Sequence, residues 1–315
     1  MNPTRVAVIG GGRNCEHDVS LASAAAVAEA LEQAGYRAVR LTIDRAGVWR
    51  DRADQIGLEG AVRVLRSCAV AFPVLHGRHG EDGTLAALCD LADVPRVGSP
   101  LGAGALAMDK WATKLVAGAL GIATAPARLL TRDGAHSYTF TRPVVVKPVS
   151  AGSSHGVTLV REAAALGPAL DAAFIHDDRI LAEDLVAGRE IDVAVLGRPD
   201  GSRVVAPALE IVVPDGEIFG TAAKYGGSPD FLVPAPLDEV TRKQLNQAGV
   251  SMYDALGCAG VARIDFFLME RGPVLNEVNT TPGFTAQSQV PRMFAATGMS
   301  FNALVDLLVR DALPA

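Results

Sequence analysis

The sequence predicts an α/β protein with more than one domain. Three observations carry this: a strand, glycine turn, helix and strand at the start; strand and helix patterns interleaved along the rest; and 315 residues, enough for two or three domains. Residues 5 to 9, RVAVI, read as a buried parallel strand, Gly10, Gly11 and Gly12 as a turn, and SLASAAAVAEALEQAG as a helix that stops at Gly35. YRAVRLTID, residues 36 to 44, is the next strand. A βαβ opening implies an open sheet with its site at the carboxyl edge of the strands, where residues 13 to 17 fall. CAVAFPVLHG adds a strand that runs into a polar loop, residues 76 to 83, and the first domain closes near VPRVGSP. ALAMDKWATKLVAGALG is predicted as one helix, TRPVVVKP as a strand, SAGSSHG as a tight loop and VTLV as another strand. A helix from about Ala163 and the strand DRILAEDLV complete a middle segment. The remainder holds more strands and a last helix, MSFNALVDLLVRDAL. The domains therefore read as 1–99, 100–183 and 184–315, with no internal repeat and no low-complexity tract.

A hydrophobic fraction of 49% with 20% charged residues describes a globular chain able to bury large cores, which excludes disorder. The balance of 29 basic against 35 acidic residues, a net charge of −6 and the lack of a dense basic cluster argue against nucleic acid as a partner. Cys15, Cys68, Cys89 and Cys258 are scattered without a C-x-x-C pair, as small core residues of a reduced protein would be. The apolar run in MNPTRVAVIGGG is too short for a signal peptide, and no stretch is long enough to span a bilayer. The expected location is the cytoplasm, without membrane contact.

The strongest chemical signal is ARIDFFLMERGPVLNEVNTTPGFTAQSQVP, residues 262 to 291. Strand alternation puts Arg263 and Asp265 on one face of the first strand, and Glu277 and Asn279 on one face of the second, with Glu270, Arg271 and Gly272 as the turn. Two carboxylates and a carboxamide form a hard oxygen set suited to Mg²⁺ shared with substrate phosphates. An arginine on the same surface suits a reaction that develops negative charge. The plain alternative is a solvated hairpin with incidental acids. The charges interrupt otherwise apolar strands and run into the turn at Thr280, Thr281, Pro282 and Gly283, which favours function.

Residues 150 to 156, SAGSSHG, combine glycine freedom with hydroxyls that can close over phosphates, and Lys147 precedes them as a point charge. No Walker A pattern occurs. Gly152 to Gly156 also satisfies G-x-S-x-G, the nucleophile elbow of serine hydrolases centred on Ser154. That elbow requires a following helix, whereas VTLV reads as a strand. A turn without any ligand is the bland third reading. Glu16 sits near a helix amino terminus, where an acid commonly just answers the helix dipole, and its functional alternative is to receive an ammonium group. His76 and His79 carry a His-x-x-His spacing, but the glycines among residues 76 to 83 favour a polar loop facing a substrate over a zinc site. Lys224 and Tyr225 lie between glycine-bearing segments, as in a lid that excludes water, although a variable surface loop has the same composition.

EHDVSLASA, LHGRHGEDGT, MDK, VVVKPVSAGSSHG, AEDLVAGRE, AAKY, RIDFFL, NEVNTTPGFT and QSQVP occur in this order over nearly the whole chain. The series strongly resembles D-alanine–D-alanine ligases of the ATP-grasp superfamily. The resemblance implies a three-domain ATP-grasp architecture: an amino-terminal α/β substrate domain, a central ATP-grasp subdomain and a carboxyl-terminal ATP-grasp and metal-binding domain. It implies ATP as phosphoryl donor, two Mg²⁺ ions for which Mn²⁺ can substitute, two D-amino acid substrates, a role in peptidoglycan synthesis and a homodimer. By the same resemblance Lys110, Lys147, Lys224 and the loop with Ser154 would hold the phosphates, Glu183 and Leu185 the adenine, and Glu190 the ribose. Asp265, Glu277 and Asn279 would hold the metal, with Glu277 bridging. Glu16, helped by His76 and Glu81, would take the first ammonium, and Arg263 with the Gly283 N–H would stabilise the oxyanion. Ser288 would bind the second carboxylate, while Tyr225, Ser153 and Glu16 would tie a lid to the site. Two departures fall on the acceptor side. Gln289 stands after Ser288 where family members often carry an aliphatic residue, and Gly220, Thr221, Ala222 and Ala223 stand where an acidic–aromatic pair is usual. They keep open a specialised ligase with another acceptor, working in antibiotic biosynthesis or self-resistance.

Overall fold

The computed structural model describes residues 3–212 and 230–314. The chain opens with β1 (Arg5–Gly11), α1 (His17–Gln33), β2 (Arg37–Ile43), β3 (Trp49–Asp51), β4 (Asp54–Gln55), α2 (Gly57–Leu65), β5 (Val70–Pro73) and α3 (Thr84–Leu91). Their sheet has the order β4-β3-β2-β1-β5, with β1 parallel to both β2 and β5. Alternation along β1 divides the core between two faces. Val6 and Val8 join a cluster with Val27 and Leu31 of α1, whereas Ala7 and Ile9 join one with Leu41 and Leu65. The carboxyl ends of β1 and β5 deliver residues 12 to 17 and 76 to 83 to the same edge of the sheet.

The segment predicted as one helix is two, α4 (Leu101–Met108) and α5 (Lys110–Ala119). Asp109 between them is extended (φ −81°, ψ 96°), and its carboxylate accepts a hydrogen bond from the Ala112 N–H at 2.9 Å. The side chain thereby satisfies an open N–H of the second helix and breaks the first. Lys110 becomes the first residue of α5, and its own N–H donates to the Val149 carbonyl at 3.1 Å.

The next elements are β6 (Ala127–Thr131), α6 (Arg132–Ala135), β7 (Val144–Pro148), β8 (Thr158–Val160), α7 (Leu166–Phe174) and β9 (Arg179–Asp184), forming an antiparallel sheet ordered β6-β9-β7-β8. Then follow β10 (Arg189–Gly197), β11 (Arg203–Val205), β12 (Leu209–Val212), β13 (Asp230–Leu232), α8 (Glu239–Leu256), β14 (Gly260–Met269) and β15 (Gly272–Asn279). Among the described residues these strands form a third sheet, β13-β12-β10-β14-β15, with β11 beside β10. Two helices, α9 (Gln289–Ala295) and α10 (Phe301–Ala312), end the chain. The apolar face of α10, Leu304, Val305, Leu308 and Val309, completes the cluster that holds Val6, Val8 and Leu31. Among the described residues no helix is long and apolar enough to cross a membrane.

Candidate active site

The hairpin of β14 and β15 confirms the pattern read from alternation and adds its register. Arg263 lies opposite Asn279 and Asp265 opposite Glu277, so all four side chains project from one face. A bulge follows, because Phe266 pairs with Leu275 and leaves Asn276 as the extra residue of β15. The bulge re-aims Asn276, whose Oδ1 accepts from Lys147 Nζ at 3.3 Å. This residue was not found from sequence, since a bulge leaves no mark in simple alternation.

Arg263 is buried and held on three sides. Its Nε and Nη2 donate to the two carboxylate oxygens of Asp265, both at 2.7 Å, and Nη1 donates to Gln289 Oε1 at 2.5 Å. Asp192, opposite Asp265 on β10, lies 3.6 Å from Nε, and its buried Oδ2 makes no hydrogen bond among the described residues. Burial, and then the charge of Asp265, push the Asp192 carboxyl well above the usual carboxylate range. Burial opposes the charge on Arg263, but Asp265 and Asp192 more than offset this and keep the guanidinium protonated. Asp192 also escaped the sequence reading, although an acid inside the apolar run IDVAVL is the signal that singled out Asp265.

At the other end of the cleft Glu183 serves two lysines. Lys147 Nζ lies 2.9 Å from its Oε2, and Lys114 Nζ lies 3.0 Å from Oε1, an ion pair outside hydrogen-bonding direction. Lys114 also donates to the Ala125 carbonyl at 3.0 Å. Burial alone would raise the Glu183 carboxyl, but Lys147 and Lys114 outweigh it and hold the group below its ordinary value. Burial conversely lowers Lys114. Lys110 sits between the two ends, donating to the Ala151 carbonyl at 2.9 Å and lying 3.3 Å from Glu277 Oε2.

Glu16 occupies the N-cap position of α1, but its side chain makes no capping hydrogen bond. It instead accepts a hydrogen bond from the Ser153 hydroxyl. A Cβ on Gly152 would lie 2.5 Å from Glu16 Oε2, and one on Gly77 2.6 Å, so any larger residue in either loop would displace this carboxylate, and Gly77 also holds a left-handed φ of 68°. Ser153 and Ser154 adopt left-handed φ values of 48° and 57°, and the loop continues into β8, paired antiparallel with β7. With no helix after Gly156, the hydrolase elbow lacks its required context.

His76 is buried and engaged at both ring nitrogens. The Thr281 carbonyl lies 2.8 Å from Nδ1, which must therefore carry the proton, leaving Nε2 to accept from Ser23 Oγ at 3.1 Å. Ser23 Oγ in turn accepts from the Phe284 N–H at 3.2 Å. His76 thereby clamps the turn after β15 to α1, and it also lines the cleft beside Glu16 and Glu81. His79 is exposed while His76 is buried, so the pair does not form a zinc site. Glu81 accepts from the Gly77 N–H at 2.9 Å, and burial, then the charge of Glu16, raise its carboxyl to about 8.

Apart from Lys114 and His79, the ionisable groups above line one cleft of about 1820 Å³, together with Ser154, Leu185, Glu190, Asn279, Gly283 and Ser288. The Gly283 N–H makes no hydrogen bond to another described residue, and Ser288 Oγ accepts from the Thr285 N–H at 3.0 Å. Lys224 and Tyr225 lie outside the described residues. Among those described, no three His, Cys, Asp or Glu side chains gather closely enough to hold a metal unaided. The platform nevertheless fits a hard cation shared with a ligand: its donors are all oxygen, Asp265 and Glu277 oppose each other across the hairpin, and the buried Oδ2 of Asp192 beside them has no hydrogen bond among the described residues.

The D-ala D-ala ligase N-terminus family model matches residues 5–63 and 51–99, and the D-ala D-ala ligase C-terminus model matches residues 117–310. The D-alanine–D-alanine ligase of Rhodococcus jostii is 38% identical, over 98% of this chain and 97% of that one. The corresponding ligase of Anaeromyxobacter dehalogenans is 41% identical, over 98% and 96%. Among solved structures, the VanG D-Ala:D-Ser ligase from Enterococcus faecalis superposes with a TM-score of 0.84 at 34% identity, covering 98% of this chain and 99% of that one. The D-alanine-D-alanine ligase from Coxiella burnetii superposes with a TM-score of 0.82 at 28% identity, over 99% and 94%. With both family models matched and relatives aligned over nearly their full length, this chain belongs to the D-alanine–D-alanine ligase family of ATP-grasp enzymes.

Proposed function

We propose that the chain is an ATP-dependent ligase that joins D-alanine to a second D-amino acid, D-alanine in the peptidoglycan reading, with release of ADP and phosphate. The observation that carries this is the placement of a buried arginine, a row of oxygen donors, an unanswered backbone N–H and a lysine pair along one cleft. A carboxylate is a poor electrophile because its charge repels an amine. Transfer of a phosphoryl group to the first D-alanine gives an acyl phosphate with a good leaving group, and amine attack then passes through a tetrahedral oxyanion.

In this reading Lys110 and Lys147 hold the phosphoryl oxygens, beneath the loop that carries Ser153 and Ser154. Glu183 and Leu185 border the base and Glu190 the ribose. Glu16, backed by Glu81, receives the ammonium of the first D-alanine and is tied through Ser153 to the loop over the phosphates. Arg263 and the Gly283 N–H answer the oxyanion, and Ser288 meets the carboxylate of the second substrate. Asp265, Glu277 and Asn279 would hold Mg²⁺, which supplies neutralising charge at the transferring phosphoryl group. The same reading assigns Lys224 and Tyr225 to keeping water from the acyl phosphate. The domains are taken as 1–99, 100–183 and 184–315, in a cytoplasmic homodimer.

The test is ADP release with a panel of D- and L-amino acids and D-lactate, with mass spectrometry of the product. Formation of AMP and pyrophosphate, or no nucleotide turnover with any pair, would overturn this reading.

A further inference from the structure

Three ionisable side chains at the lysine end of the cleft are buried, and they do not stand alike. Lys147 and Glu183 line the cleft wall, whereas Lys114 does not. Lys114 lies one turn after Lys110 on α5, and its Nζ is fixed between the Ala125 carbonyl and Glu183 Oε1, each at 3.0 Å. Lys147 lies 2.9 Å from the other oxygen of the same carboxylate, and its second contact, to Asn276 Oδ1, is the longer one at 3.3 Å. Of the two lysines, only Lys147 can meet an anion in the cleft. Turning to that anion loosens its hold on Glu183, and a buried carboxylate deserted by its cation is strongly unfavourable.

We propose that Lys114 is a positioning residue for phosphate capture: by staying with Glu183 it answers that carboxylate while Lys147 turns to the nucleotide, and so sets how tightly the phosphates are held. The inference rests on the ligase reading above, which puts phosphoryl oxygens on Lys147, and adds a residue that acts from outside the cleft. Without Lys114, Glu183 keeps Lys147 as its only ion-pair partner among the described residues. The phosphates must then share one ammonium with a carboxylate that has no other cation.

The test uses ligands that differ only in phosphate. The purified chain is titrated with ATP, ADP and adenosine, each with Mg²⁺, by isothermal titration calorimetry. Lys114→Met, which keeps the apolar stem, is expected to weaken ATP and ADP by about tenfold, the scale of one charge-assisted hydrogen bond, and adenosine by less than about twofold. Lys114→Gln keeps a donor without the charge; it should move the same way, and it carries the test if the methionine variant does not fold. When Glu183→Gln is joined to either change, no carboxylate competes for Lys147, and the ratio of ATP to adenosine affinity should return to that of the unsubstituted chain. Equal losses for ATP and adenosine would make Lys114 a packing residue and overturn the proposal. Unchanged ATP affinity would overturn it too, as would a lowered ratio that persists once Glu183 is also replaced. Failure of the unsubstituted chain to bind ATP at all would instead overturn the ligase reading, and this inference with it.

Discussion

At one end of the cleft a single carboxylate, Glu183, serves two buried lysines; at the other a single buried cation, Arg263, faces Asp265, Asp192 and Gln289, with Glu277, Glu81 and Glu16 nearby. The lysine end has positive charge to spare and suits an anion. The arginine end has an excess of acid, with the carboxyls of Asp192 and Glu81 both raised by burial and neighbouring acids, and it suits cations, whether an ammonium or a divalent metal. Lys110 spans the two, touching the loop at Ala151 and the acid Glu277. The contrast teaches that the polarity of the cleft comes from stoichiometry, two bases to one acid against one base to several acids, more than from any single strong pair.

The largest effect should come from Glu277→Gln, which keeps volume and removes a charge from the acid end. Turnover at saturating Mg²⁺ is expected to fall roughly 10³-fold while the circular dichroism spectrum stays native. Unchanged turnover would remove Glu277 from the metal platform. Next is Arg263→Met, which leaves the acids without their shared cation. Denaturant titration should show a loss of about 3–5 kcal/mol, the scale for breaking a buried ion pair. A loss below 1 kcal/mol would mean that Asp192 and Asp265 relax by sharing a proton.

The mirror-image change at the lysine end, Glu183→Gln, strands two buried cations and is expected to cost about 2–3 kcal/mol. Added nucleotide should recover part of that stability in a thermal shift, because phosphate offers Lys147, which lines the cleft, another anion. If nucleotide gave the variant no larger a shift than the parent, the lysine end would not be its site.

Smallest is a pH effect at Glu81. Its carboxyl holds a proton to about 8 in the folded chain against an ordinary 4.5. Below 4.5 both states are protonated and nothing is lost. As pH rises through that window the unfolded chain gives up the proton first, so stability falls, and the penalty is complete above about 8. Glu81→Gln should therefore raise the melting temperature over the parent by about 3–5 °C at pH 8.5 and by less at pH 5.5. An equal gain at both values would assign the effect to packing.

Much of the acid end was legible because period-two alternation is a local rule, and Arg263, Asp265, Glu277 and Asn279 obey it. Asp192 belongs to the same face but reaches it through pairing of β10 with β14, a contact across some seventy positions that local pattern does not encode. Asn276 depends on a bulge, and Lys114 on knowing which face of α5 turns inward. The break at Asp109 was readable in principle, since aspartate directly before a helix is an N-cap signal, but apolar residues on both sides concealed it. Glu16 lay between two readings that only the missing capping bond and the Ser153 contact could separate. The tethering of Gln289 to Arg263 joins positions 26 apart and had no local signature at all.

The placement of α10 bears on how the protein is made. Val6, Val8 and Leu31 share their cluster with Leu304, Val305, Leu308 and Val309, which are synthesised long after them, and the contact is pinned by Tyr36 Oη donating to Asp306 at 2.8 Å and Asn302 donating to Gln33 at 2.6 Å. The nascent first sheet can close the face with Ala7 and Ile9 early, but its other face must wait for α10. Translation order and folding order therefore diverge, and the β1-α1-β2 unit stays a half-built core until α10 lays its last course.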